Sequence, residues 1–113
     1  MHEEFTLRRD HEQFISSQAV KLVCKNGKTI MVVKFKQQFF AYLNECQHLP
    51  VELDWEEGKF FDSDNQYIIC STHGALYDPQ TGHCISGPCK SKYLHKLDVI
   101  QLKDQIRIIY DGS

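Results

Sequence analysis

Apolar residues along this chain recur in short runs, some alternating with polar positions and some unbroken. Both patterns belong to strands, half-buried in the first case and buried on both faces in the second. Residues 19–25 (AVKLVCK) predict one strand and 29–35 (TIMVVKF) a second, with Asn26-Gly27 between them as a two-residue hairpin turn, because both residue types tolerate positive φ. Residues 39–44 (FFAYLN) return after a short Lys/Gln turn, and 67–70 (YIIC) form another short strand. Towards the end, 97–102 (LDVIQL) and 105–110 (QIRIIY) flank Lys103-Asp104 as a further hairpin, and 3–9 predict an edge strand. Only 11–17 offers a turn or two of helix, without a 3.6-residue stripe. Many short strands at close spacing predict an all-β fold, an antiparallel sandwich or small barrel.

The regular pattern lapses between residues 45 and 96, a stretch rich in Cys, His, Gly, Pro and acid. Long irregular segments inside a compact β domain usually carry function. The length of 113 residues predicts a single domain over 1–113. The 42% hydrophobic and 25% charged content is that of a globular chain. A formal charge of −2 without a Lys/Arg cluster excludes general nucleic-acid binding. No apolar run approaches the roughly 20 residues of a membrane span, and the N-terminal MHEEFTLRRD lacks the apolar core of a signal peptide. A cytoplasmic, monomeric protein without membrane or nucleic-acid partners is the expectation.

That setting gives the five cysteines, at 24, 46, 70, 84 and 89, their meaning. In a reducing compartment they are ligands or buried thiols before they are disulfides. Cys46-Gln47-His48 and Cys70-Ser71-Thr72-His73-Gly74 each offer a thiolate and an imidazole, separated by 21 residues. Each box follows an apolar run, FFAYLNEC or NQYIIC, so two loops are expected to leave the same end of one sheet and grip one metal centre. A [2Fe–2S] cluster with two Cys on one iron and two His on the other needs this inventory. Tetrahedral zinc also accepts Cys₂His₂, although its sites usually pair Cys with Cys and His with His at short spacing.

With its tail, Ala75-Leu76-Tyr77-Asp78, Thr81-Gly82 and Gly87-Pro88, this arrangement over about residues 30–110 resembles the Rieske iron–sulfur domain family. The resemblance implies a β-sandwich or barrel base carrying a small rubredoxin-like cluster-binding subdomain at about 45–90. It implies one [2Fe–2S] cluster per chain, with Cys46, His48, Cys70 and His73 as its cofactor and metal ligands. Tyr77, Ala75, Gly87 and Pro88 would surround it, the last two in a third loop that covers the cluster. Cytochrome-complex members of the family place a disulfide where this sequence has Val51 and Thr72, and a serine where it has Ala75. Fewer hydrogen bonds to the sulfurs predict a midpoint low in the Rieske span, about −150 mV.

The pattern is similar to the stand-alone ferredoxins that serve Rieske oxygenases, since no catalytic domain follows Tyr110. The expected function is therefore electron transfer, with no catalytic residue, from an NAD(P)H-dependent reductase to a terminal oxygenase or similar acceptor. A permanently bound redox subunit is the alternative, for which Phe60-Phe61 would be an exposed apolar patch. Cys84 and Cys89 flank a Gly-Pro turn that permits a bridge, yet free thiols are expected in cytosol. Cys24 is expected in the core and His83 in solvent. Residues 52–64, with six acids and one lysine, read equally as a solvated loop or a docking surface.

Overall fold

A computed structural model describes residues 3–45, 52–54, 58–70, 74–87, 89 and 92–111. Six longer strands, β1 (Glu3–Arg8), β2 (Ala19–Val23), β3 (Thr29–Phe35), β4 (Gln38–Leu43), β8 (Lys96–Gln101) and β9 (Gln105–Tyr110), form one antiparallel sheet in the order β1-β9-β8-β4-β3-β2. Three short ones, β5 (Ile68–Ile69), β6 (Leu76–Tyr77) and β7 (Cys84–Ser86), form a second. A short helix, α1 (Glu12–Ser16), lies between β1 and β2, with His11 Nδ1 accepting from the Gln13 N–H at its start. The fold is the all-β one that the pattern predicts.

Strand β8 bends the large sheet over on itself. Its first residues pair with β4 (Ala41 opposite Leu97), and from Asp98 onward it pairs with β9. A strand that changes partners along its length makes a sandwich corner. Between the two halves lies a core of Val20, Ile30, Val32, Phe39, Ala41, Leu43, Leu97, Ile106, Ile108 and Tyr110, with Phe14 of α1 and Cys24. Cys24 is thus the core residue expected of it. The open edge between β1 and β2 is bridged by side chains, as Glu3 accepts from the Lys25 N–H at 3.0 Å and Asn26 Nδ2 donates to the Tyr110 hydroxyl at 3.0 Å.

The opposite face of β2–β4 supplies a second core. Ala19, Met31, Val33, Phe35 and Tyr42 meet Leu53, Phe60, Phe61, Ile68, Cys70, Ala75, Tyr77, Cys84, Cys89 and Leu94. Alternate residues of β3 therefore enter different cores, which is why TIMVVKF reads as an unbroken apolar run. By contrast β9 buries Ile106, Ile108 and Tyr110 and leaves the residues between them half-exposed, hence its alternation.

The turns distribute differently from their sequence signals. Lys36-Gln37 makes the two-residue hairpin, both residues at positive φ (51° and 68°), because Phe35 pairs directly with Gln38. At Asn26-Gly27 the loop is three residues long instead. The Cys24 N–H donates to Lys28 O, and only Gly27, at φ 88°, is left-handed. Asn26 keeps negative φ while its side chain reaches Tyr110 and accepts from the Lys28 N–H.

Three further expectations are corrected. The two apolar runs before the cysteine boxes end in different sheets, β4 in the six-stranded and β5 in the three-stranded one. Phe60 and Phe61 are buried, Phe61 stacking on Phe35 with centroids 6.3 Å apart, so they form no surface patch. Cys84 and Cys89 are joined in a disulfide. The chain reverses after β7, Lys92 receives the Cys84 N–H and donates its own to Cys89 O, and the Cα atoms come within 5.9 Å. Both residues are shut off from solvent, so local geometry and lack of access to external thiols outweigh the reducing setting that argued for free thiols.

Alkylation of the denatured, unreduced protein is expected to modify Cys24 and spare Cys84 and Cys89. Across a separation of 5 residues the bridge contributes about 2 kcal/mol on a chain-entropy basis. Cys84→Ser should lower the denaturation free energy by about that amount. Full labelling of both cysteines without reductant would show free thiols instead.

Candidate metal centre

Of the four expected ligands, Cys70 lies among the described residues; Cys46, His48 and His73 lie outside them. Among the described residues no three Cys, His, Asp or Glu side chains form a metal-holding group. The structure instead shows how the chain is held on either side of each box. Cys70 directly follows β5 and is buried. Its N–H donates to Ala75 O at 2.8 Å and its carbonyl accepts from Gly74 N–H at 2.9 Å. Backbone bonds thus close the second box at its base.

A side chain closes the first. Asn44 directly follows β4 and is 4% exposed. Its Oδ1 accepts from the Leu53 N–H at 2.8 Å, joining the chain before Cys46 to the chain after His48. Its Nδ2 donates to Asp54 Oδ1 and to Thr29 Oγ1, both at 3.1 Å. The Asp54 side chain, 4% exposed, also accepts from Lys21 Nζ and the Gly58 N–H, each at 3.1 Å. Lys21 reaches Glu52 as well, and the Thr29 hydroxyl donates to the same Glu52 carboxylate. Burial pushes the Asp54 pKa up, but the bonds from Asn44, Gly58 and Lys21 outweigh it and hold the carboxyl below its ordinary value.

These contacts change the reading of the acidic segment. Asp54 is a buried structural anion, and Asp62 Oδ1 accepts from the Gln66 and Tyr67 N–H groups at 3.1 and 3.3 Å to form the turn before β5. Two of the six acids are therefore committed to holding loops, which weakens the segment as a docking surface.

The third loop packs at Gly87 against Ala75, just after the second box. Gly87 has φ 106°, and a Cβ there would lie 2.8 Å from Ala75 Cα and 3.0 Å from Ala75 Cβ. Ala75 is completely buried. The Gly of Gly87-Pro88 is thus required by both backbone angle and close approach; Pro88 lies outside the described residues. Tyr77 is fully buried, and its hydroxyl lies 3.0 Å from Cys89 Sγ, to which it donates because a disulfide sulfur carries no proton.

The turn between β6 and β7 explains the rest of the tail. Asp78 Oδ1 accepts from the Gln80 N–H at 2.8 Å, its carbonyl accepts from Gly82 N–H at 2.7 Å, and Thr81 Oγ1 accepts from the His83 N–H at 3.2 Å. Tyr42 ties this turn to β4, its buried hydroxyl donating to Pro79 O at 2.7 Å; burial and the Asp78 charge push its pKa up. His83 stacks on exposed Tyr93 with centroids 4.6 Å apart. It sits at the Asp78 end of β7, opposite the end that continues into Gly87.

The described residues thus show a buried cysteine after a strand, chain joined across the flanks of two Cys/His boxes, and Gly87 packed on Ala75. The donor set of two thiolates and two imidazoles fits an iron–sulfur cluster with mixed ligation. The family model of the Rieske [2Fe-2S] domain matches residues 7–103. The chain belongs to the Rieske [2Fe-2S] domain family and carries one [2Fe–2S] cluster.

Among solved structures it is similar to the ferredoxin of carbazole 1,9a-dioxygenase from Nocardioides aromaticivorans IC177, at 24% identity and a TM-score of 0.63, covering 81% of this chain and 84% of that one. It is also similar to a chain in a complex of reduced oxygenase and oxidized ferredoxin of carbazole 1,9a-dioxygenase, at 19% identity and a TM-score of 0.69, covering 91% of each. A third, from a fluorene-bound oxygenase and ferredoxin complex, gives 16% identity and a TM-score of 0.71, covering 94% of this chain but 28% of that one. At these identities the likeness is one of fold. None of the curated proteins matches the chain. Among the described residues no helix is long and apolar enough to cross a membrane.

Because the folded Asp54 pKa lies below the ordinary 3.8, its contribution to stability is complete above that value and is lost as pH falls below it. The stability gap between the native protein and Asp54→Asn should narrow as pH drops from about 6 to about 3 in denaturant titrations. A constant gap would remove the carboxylate from the account. Gly87→Ala should cost about 1–3 kcal/mol in the same assay, and an unchanged midpoint would show that the third loop does not press on Ala75.

Proposed function

We propose that this protein is a one-electron carrier whose cluster is held by Cys46, His48, Cys70 and His73, and that it takes electrons from an NAD(P)H-dependent reductase and passes them to a terminal oxygenase or similar redox enzyme. Membership of the Rieske family, together with two Cys/His boxes in this sequence, is the observation that carries the proposal. The carbazole 1,9a-dioxygenase ferredoxin, which shares the fold, supports the choice of partner. Zinc is disfavoured by the same membership.

When bound, the cluster supplies reversible one-electron chemistry, at a higher potential than an all-cysteine centre because neutral imidazoles replace two thiolates. The chain's own residues do the rest. Cys70 is buried where β5 ends, in the environment that suits the inner, thiolate-bound iron. His48 and His73 would hold the other iron, as in the family's ligand arrangement, and would be the ligands nearest a partner. Gly87 packs over Ala75, which is fully buried. Ala75 has no hydroxyl to offer a sulfide, so the midpoint stays low.

We assign the whole of 1–113 to one domain, with a cluster-binding part at about 45–90, and place the protein in the cytoplasm, where a disulfide closed to solvent persists. A permanently bound subunit loses its main support with the burial of Phe60 and Phe61.

The dithionite-reduced protein should show the low-average-g EPR signal of a Rieske centre with nitrogen couplings from two imidazoles. His48→Ala or His73→Ala should abolish it, and the midpoint of the native protein should lie at about −150 mV. Nitrogen couplings from only one imidazole would overturn the ligand set, and a midpoint well above zero would overturn the low-potential assignment.

A further inference from the structure

The two boxes are closed in unlike ways. The second is fastened by main-chain bonds between Cys70, Gly74 and Ala75, which no side-chain substitution can remove. Among the described residues, the first is fastened across its base by a side chain, from Asn44 Oδ1 to the Leu53 N–H, with a sequence separation of 9. Between those points lie the box's cysteine and histidine. In the family's ligand arrangement one serves each iron, so this loop touches both halves of the centre.

Asn44 is nearly enclosed, and its partners are themselves fixed. Asp54 is held by Lys21 from β2 and by the Gly58 N–H. Thr29 begins β3, and its carbonyl accepts from the Asn44 N–H at 2.8 Å. The position thus requires an acceptor towards Leu53 and a donor towards Asp54, which only a carboxamide of this length supplies. An aspartate would set a second carboxylate against Asp54. An alanine would leave the buried Leu53 N–H without the acceptor it now has.

We infer that Asn44 is the positioning residue of the cluster, the group that pre-forms the first ligand loop so that its cysteine and histidine are presented together. Closing the loop in the folded protein means that its ordering entropy is not drawn from the binding of iron and sulfide. Hydrogen-bonded residues behind metal ligands typically govern affinity by about 10- to 100-fold. The inference rests on the proposed ligand set, because it requires Cys46 and His48 to be ligands.

The test compares purified, cluster-loaded native protein with Asn44→Ala, Asn44→Asp and the reciprocal double variant Asn44→Asp/Asp54→Asn. In the double variant the aspartate accepts from Leu53 and the asparagine donates to it, so the bonds to Leu53 and between positions 44 and 54 are restored. The Thr29 hydroxyl, which now accepts from Asn44, must turn from Glu52 to donate to the aspartate. A Val32→Ala protein, altered in the core on the other face of β3, calibrates general loss of stability. Cluster loss is followed as bleaching of the visible absorbance in excess ferrous chelator, alongside denaturant unfolding and the EPR linewidth of the reduced centre.

Asn44→Ala and Asn44→Asp are expected to release the cluster about tenfold faster or more, with broadened g values. The reciprocal variant should recover most of the loss, and Val32→Ala at equal or lower stability should release at near the native rate. Native release rates in both Asn44 single variants would overturn the inference. So would acceleration that follows unfolding stability alone, with Val32→Ala as fast and the reciprocal variant unrecovered. In those cases the native two-imidazole EPR signal is intact and the ligand set stands. If the native protein itself lacks that signal, the ligand set fails and this inference with it.

Discussion

Strand β3 has no face to give to solvent. Ile30, Met31, Val32 and Val33 are all completely buried, alternately in one core and the other. Burying each contributes about 1.5–3 kcal/mol, so this short run alone is a large share of a typical domain's net stability. The architecture follows from satisfying both faces at once. The folded-over half of the six-stranded sheet covers one, and the small sheet with residues 52–54 and 60–61 covers the other.

That arrangement explains why cluster chemistry can be lodged in a segment with so little regular structure. The loops around the boxes have few residues in strands, yet Leu53, Phe60, Ile68, Cys70, Ala75 and Tyr77 are all buried against the β2–β4 face. Hydrophobic contact fixes where the segment sits, while hydrogen bonds fix its local path. Main-chain bonds do this at Cys70 and Ala75, Asx-type bonds at Asp62 and Asp78, and side-chain bonds at Asn44 and Asp54. The Cys84–Cys89 bridge adds a covalent tie next to the Tyr77 hydroxyl. The region is therefore anchored where it meets the core, and several of its polar side chains, Asp54, Asp62 and Asp78 among them, are taken up in holding the fold.

A charged residue in this protein cannot be assigned to the surface by type. Asp54 and Lys21 are mostly enclosed, and their pairing is supported by Asn44 and Gly58. A buried ion pair of this sort adds little net stability over an apolar pair, but removing one partner is costly. Its value here is geometric, because it specifies one relation between β2 and the chain that leaves the first box.

By itself the sequence determined the six longer strands and the family, while β6 and β7, too short to carry a pattern, were not legible in it. Alternation in QIRIIY and unbroken apolarity in TIMVVKF are local consequences of one-sided and two-sided burial, and they survive into the structure with the same bounds. The boxes and tail were legible because metal-ligand chemistry restricts residue type at fixed spacing. Tertiary structure alone decided what depends on distant partners. Asn26-Gly27 gave up the expected turn while its side chain bonded Tyr110, 84 residues away. Phe60-Phe61 went to the core because Phe35 and its neighbours needed a cover. Two thiols became a bridge because a chain reversal brought them together out of reach of solvent. An inconspicuous asparagine became the fastening of the first loop because Leu53 and Asp54 return to it. Such pairings have no period and no motif, so only the folded chain displays them.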